Sequence, residues 1–280
     1  MGRLSRISGR AARVPSVQPI YTHGHHEAVL RSHRTRTAVN SAAYLLPQLG
    51  SGMSLLDVGC GPGTITADLA ELVAPGLVTA VEPVAEALVV AESVVAERQL
   101  TNVRLAIADV HTLEYADDTF DVVHAHQVLQ HVHDPVRALR EMRRVSRGVV
   151  AARDADYTAM TWFPRVPALD EWLSLYHRTS RRNGGEPDAG RRLLSWAREA
   201  GFIDIVSTAS VWCYATPAER EWWSEMWADR ILSSAIADQA VDYGFATRED
   251  LARISAAWRE WGAAPDGWFA VLHGEILCRG

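Results

Sequence analysis

The chain has 280 residues, 48% of them hydrophobic and 22% charged, with a formal net charge of −6. This composition excludes a disordered tail, a collagen-like repeat and a coiled-coil rod. The acidic balance excludes a chain-wide footprint for nucleic acid, and no apolar run approaches the roughly 18 residues that a membrane span needs.

Residues 1–19 carry Arg, Ser and Pro without an apolar core, and read as a disordered N-terminus rather than a secretory signal. Residues 26–49 read as a helix, with Val29, Leu30, Ala38, Val39, Ala42, Leu45 and Leu46 at helical spacing, ending before Pro47. A strand–helix alternation then begins. Strands are expected at Ser54–Val58, Leu77–Val81, Val103–Ala108, Phe120–His124 and Gly148–Ala152. Helices are expected at Ile65–Val73, Val84–Arg98 and Ala138–Val145. Such alternation implies βαβ crossovers and a mostly parallel sheet covered on both faces. Beyond residue 153 the pattern predicts helices over Leu169–Arg178, Arg191–Glu199, Pro217–Asp242 and Arg248–Trp261. Long strands are expected at Ile203–Tyr214 and Trp268–Cys278. All ten tryptophans fall in residues 162–268, and most are expected in a core.

All 28 basic residues are Arg, which removes Schiff-base chemistry through a lysine and any P-loop lysine. Cys60, Cys213 and Cys278 are odd in number and far apart. They suit a reduced, cytoplasmic setting better than disulfides or a CxxC metal site.

The strongest local signal is Leu55-Leu-Asp-Val-Gly-Cys-Gly-Pro-Gly63, a strand running into glycines and then a helix. Glycines let backbone N–H groups approach a ligand, and the helix N-terminus adds a positive dipole end. The spacing is G-x-G-x-G with Thr64 following, not the dinucleotide G-x-G-x-x-G. Asp57 would repel a pyrophosphate there, and better suits a ligand with an amino group. Glu82 ends the second strand, where an acid can take two ribose hydroxyls, and Pro83 follows it. Asp109 ends the third strand, suited to an adenine amino group with the Val110 N–H nearby. His124, His126, His131 and His133 follow strand four, but their spacing is not that of a helical HExxH metal site, and no metal is expected. One or two of them are expected to line a pocket. Asp154 and Tyr157 follow strand five at the same ligand-binding edge.

Together the run from Asp57 through Asp109 to Gln127 resembles the class I S-adenosylmethionine-dependent methyltransferases, in particular the ubiquinone/menaquinone-biosynthesis (UbiE-like) group. The N-terminal sequence is closer to members acting on small natural products. The resemblance implies a Rossmann-like α/β fold with a seven-stranded, mostly parallel sheet. A single domain over 20–280 would carry lid helices around 157–200 and 217–261. It implies S-adenosyl-L-methionine as cofactor, held by Tyr21, Asp57, Gly59, Gly61, Gly63, Glu82, Pro83, Asp109, Val110 and Gln127. Catalytic assistance is expected from His126, His131, Asp154 or Tyr157, because these follow strands four and five. The implied activity is methyl transfer to a small-molecule acceptor, a thiol (as in a dithiol natural product of secondary metabolism) or an aromatic hydroxyl. The alternatives are a non-catalytic cofactor-binding protein and a C-methyltransferase of quinone biosynthesis. No nucleic-acid or membrane partner is expected, and the sequence leaves the oligomeric state open.

Overall fold

A computed structural model describes residues 35–280. Eight strands form one sheet: β1 (Leu55–Val58), β2 (Val78–Glu82), β3 (Val103–Ile107), β4 (Phe120–His126), β5 (Ser146–Ala155), β6 (Thr161–Phe163), β7 (Asp204–Tyr214) and β8 (Trp268–Arg279). β3, β2, β1, β4 and β5 lie side by side and parallel. β8 runs antiparallel between β5 and β7, and the short β6 continues the line of β5 along β8. The sheet thus has one more strand than expected. β6 is only three residues long, too short for an alternation to register.

Alternation assigns the two faces. Leu55, Val122 and Ala151 point toward α1 (Ala38–Ser41) and α2 (Thr64–Val73). Leu56, Val58, Val123 and Ala152 point toward α4 (Pro135–Val145) and α6 (Ala189–Glu199), α3 (Ala85–Glu97) lying between β2 and β3 in the chain. α6, expected among the lid helices, therefore covers the sheet through Leu193, Trp196 and Ala197.

The helix expected over 26–49 is broken within the described residues. α1 is one turn, capped by Thr37, and Pro47 sits inside a 3₁₀ turn at Leu46–Gln48. Residues 26–34 and Tyr21 lie outside the described residues, as do residues 1–19. The single helix expected over 217–242 is two, α7 (Pro217–Ser233) and α8 (Ala235–Asp242), divided where Ser234 turns to an extended backbone. Serine at a helix start is a known break signal, here hidden inside an apolar pattern.

The helices expected to form a lid build a core of their own. α5 (Pro167–Arg182), α7 and α9 (Arg248–Ala263) enclose Trp172, Trp227, Trp258 and Trp261, all nearly fully buried. Trp172 meets Trp227 and Trp258 edge-to-face, with ring centres 4.6 and 4.8 Å apart. Such pairs add about 0.5–1.5 kcal/mol each beyond burial, and they join α5, α7 and α9. Among the described residues no helix is long and apolar enough to cross a membrane, and no group of His, Cys, Asp and Glu is arranged to hold a metal ion.

Candidate active site

A cavity of about 980 Å³ opens at the carboxyl ends of β1, β2 and β4 and runs to the lid. Ligand pockets span about 300–1,000 Å³, so this one has room for two molecules. Its location is the switch point between β1 and β4, where the strand order reverses.

At one end β1 passes into the glycine loop. Gly59, Gly61 and Gly63 all have positive φ, of 68°, 53° and 79°. A Cβ on Gly59 would strike Val128, and one on Gly63 would lie 2.9 Å from Ala91 of α3. Gly59 and Gly61 border the cavity, whereas Gly63 is placed by helix packing rather than by the cavity. Cys60 borders it too, but burial pushes its thiol far up, as suits a packing residue.

Asp57 lines the cavity, but its oxygens have protein partners. Thr66 Oγ1 of α2 donates to Oδ2 at 2.5 Å, and His124 Nδ1 donates to Oδ1 at 2.8 Å. The carboxylate ties β1, β4 and α2 together beneath the loop. Glu82 accepts the Gly61 N–H at 2.6 Å, and burial raises its carboxyl to about 7 despite that hydrogen bond. Pro83, Asp109 and Val110 border the same end. Burial pushes the Asp109 carboxyl up, but hydrogen bonds from the His111 N–H and ring outweigh this and hold it below its usual value.

Gln127 follows β4 with φ of +55°, a conformation uncommon outside glycine and worth attention beside a cavity. Its N–H donates to the Arg153 carbonyl at 2.7 Å. Arg36 Nη2 donates to its Oε1 at 2.8 Å, and its Nε2 donates to His273 Nε2 at 3.0 Å. His273 Nδ1 donates onward to the Val271 carbonyl at 3.1 Å. Every donor and acceptor in that chain has a defined sense, so the His273 ring is neutral.

At the other end the walls are aromatic. One face of α7 supplies Trp222, Trp223, Met226 and Arg230, and β7 supplies Trp212 and Tyr214. Tyr214 stacks on Trp223 with ring centres 4.2 Å apart. Tyr157 lines the floor, stacked on Tyr176 at 3.9 Å, and burial raises its hydroxyl. His131 also faces the cavity, and burial, with Arg36 and Arg230, drives it down to about 3. His126 is 6% exposed, and neither ring nitrogen has a hydrogen-bond partner among the described residues. Burial first, then Arg36 and Arg153, holds it well below its usual value.

Three of the four catalytic candidates, His126, His131 and Tyr157, thus meet in one cavity. Asp154 does not. β5 runs three residues beyond the expected Ala152, so alternation puts Arg153 and Asp154 on opposite faces of the sheet, Arg153 against Trp212 and Glu275. Asp154 is fully buried and accepts the Gln130 N–H at 3.1 Å, supporting the turn after β4. His133 does not line the cavity; its ring lies 4.2 Å from that of His111, tilted by 34°. The arginine-rich stretch at 181–192 is held by ion pairs, Arg181 to Asp188 within it and Arg191 to Asp156 after β5. Sequence reasoning gave no role to Arg36, Arg230 and His273. No motif marks them, and they reach the site only through folding.

A sheet of this order, with a glycine loop at its switch point and an acid closing β2, defines a class: Rossmann-like proteins that hold a nucleoside-bearing ligand. Comparisons narrow it. Residues 49–216 match the family described as Methyltransferase domain. The chain is 33% identical over 274 residues to an uncharacterised methyltransferase of Schizosaccharomyces pombe, covering 94% of this chain and 97% of that one. It is 26% identical over 279 residues to a probable methyltransferase of Aspergillus luteorubrus, covering 92% and 96%. A structure of phosphoethanolamine N-methyltransferase 2 from Haemonchus contortus, bound to S-adenosylhomocysteine, shares the fold at a TM-score of 0.52 and 19% identity. It is matched over 82% of this chain, which spans 49% of that one. The chain belongs to the class I S-adenosylmethionine-dependent methyltransferases, and S-adenosylmethionine is its cofactor.

Proposed function

We propose that this enzyme methylates a small, flat acceptor bearing a thiol or an aromatic hydroxyl. The observation that carries the reading is the continuity of the cavity from the glycine loop to the wall of Trp222, Trp223, Tyr214 and Tyr157. A cofactor in the first half leaves an aromatic slot beside it.

The residues suit the cofactor chemically. Glu82, half-buried at the rim, can take both ribose hydroxyls as a carboxylate. Asp109 and Val110 suit the adenine, the amides of the glycine loop suit the polar edge, and Gln127 with Arg36 suits the amino-acid end. Bound there, the cofactor supplies an electrophilic methyl group on a sulfonium. What the chain contributes is placement, since holding reactants in line is worth about 7–11 kcal/mol of barrier. The aromatic walls keep water from competing. Incubation with labelled S-adenosylmethionine and panels of thiols, phenols and amines tests the reading. Label transferred to thiols or phenols supports it. Transfer only to amines would refute the acceptor class, and cofactor binding without transfer to any acceptor would favour a non-catalytic role.

A further inference from the structure

β8 is apolar along most of its length, yet its middle carries two buried polar side chains, His273 and Glu275. The two-residue pleat puts both on the face that holds Val271. Glu275 is engaged within the sheet, accepting from Arg153 of β5 and from Thr208 and Ser210 of β7. His273 is used differently. Its Nδ1–H donates to the Val271 carbonyl at 3.1 Å, and its Nε2 accepts at 3.0 Å from Gln127, which borders the cavity. His273 itself is fully buried and does not line the cavity. Burying a polar ring costs free energy unless it is hydrogen-bonded, and here the bond runs to a cavity residue.

The backbone and the side chain of Gln127 are fixed by separate means. The backbone leaves β4 at positive φ, and its N–H is tied to the Arg153 carbonyl. The amide head could still turn about its side-chain torsions. Two hydrogen bonds hold it, one from Arg36 to Oε1 and one from Nε2 to His273. They also fix which end is which. A guanidinium only donates, and an imidazole whose Nδ1–H is committed to a carbonyl offers Gln127 only an acceptor. Burial, with Arg153 and Arg36, holds the His273 ring well below its usual value, so that acceptor persists at neutral pH. A planar amide held at both ends leaves its second Nε2 hydrogen in one fixed direction. Such preorganisation removes an ordering cost from binding.

We propose that His273 is a positioning residue for the cofactor: by holding the Gln127 amide in one sense, it presents the remaining Gln127 N–H to the amino-acid end of S-adenosylmethionine. This rests on the placement of that end at Gln127 in the function proposed above. It deepens that reading by adding, from β8, a residue that touches neither cofactor nor acceptor and acts only through Gln127.

The test compares two ligands by titration calorimetry on the full chain. S-adenosylhomocysteine carries the amino-acid end, whereas 5′-methylthioadenosine keeps the adenosine and the thioether without it. His273→Phe fills the space and offers no acceptor. It should weaken S-adenosylhomocysteine about three- to tenfold, the worth of one neutral hydrogen bond, and leave 5′-methylthioadenosine unchanged. His273→Gln returns an acceptor oxygen at similar reach and should recover most of the loss. Gln127→Ala should also weaken S-adenosylhomocysteine, and adding His273→Phe to it should weaken binding no further, since the histidine acts through the amide. An equal fall for both ligands, which a merely structural role would give, overturns the proposal. So do additive losses in the double variant, an unchanged S-adenosylhomocysteine affinity in His273→Phe, or no recovery in His273→Gln. Gln127→Ala separates the two readings. If it leaves S-adenosylhomocysteine affinity unchanged, the placement of the amino-acid end is wrong and the inference falls with it. A loss there with none in His273→Phe overturns the inference alone.

Discussion

Glu82 should set affinity for the cofactor and, at the same time, weaken the free fold. Its carboxyl stays protonated to about pH 7 in the folded chain, against 4.5 as the ordinary value. Between those limits the folded state holds a proton that the unfolded state has released. Stability therefore falls as pH rises from about 4.5 to 7, and the full penalty is present above 7. A shift of that size corresponds to roughly 3 kcal/mol at 1.36 kcal/mol per unit, and about 2 kcal/mol is a fair figure for a half-buried group. Glu82→Gln removes the charge and keeps an oxygen for the Gly61 N–H. The variant should be about 2 kcal/mol more stable than the parent at pH 8 and equal to it near pH 4.5, as read by urea unfolding. Its cofactor affinity should move the other way. Charge-assisted hydrogen bonds contribute about 1.5–3 kcal/mol each and neutral ones about 0.5–1.5. Replacing two by neutral ones costs about 2–3 kcal/mol, or roughly 30- to 150-fold in Kd. In the parent, affinity should weaken about tenfold per unit below pH 7, as the carboxylate must first form. Titration calorimetry with S-adenosylhomocysteine at pH 6 and 8 checks both parts. Unchanged Kd in the variant, or a parent affinity flat with pH, would refute the assignment of Glu82 to the ribose.

Asp57→Ala leaves the His124 Nδ1–H and the Thr66 hydroxyl buried without their acceptor. At about 1–3 kcal/mol per group it should lose several kcal/mol of unfolding free energy, measurable with denaturant. Gly63→Ala forces a side chain into a left-handed backbone and against Ala91, and should lower Tm by several degrees for about 1–3 kcal/mol. Trp222→Ala removes one aromatic wall of the acceptor half. It should raise the acceptor KM about tenfold or more while the Kd for S-adenosylhomocysteine stays unchanged in calorimetry. Asp154 is raised by burial to about 7 and lies off the cavity, so Asp154→Asn should keep kcat within a fewfold and gain stability at pH 8 relative to the parent.

The glycine-loop half of the cavity was legible in the sequence because its parts are local. A strand, three glycines and a helix follow one another within Leu55–Val73, and Glu82 and Asp109 each end their own apolar run. Backbone preference and hydrophobic alternation act over a few residues, so the pattern carries the structure with it. The aromatic half was decided only by the tertiary fold. Gln127 meets His273 across 146 positions, and Trp212 meets the Asn40 carbonyl across 172. No local pattern records such pairings. Asp154 and Arg153 show how fine the decision is. Both follow the apolar run of β5, and the sequence offers no reason to prefer either. Pairing with β8 extends the strand to Ala155, and the two-residue pleat then sends arginine to Trp212 and Glu275 and aspartate to the opposite face.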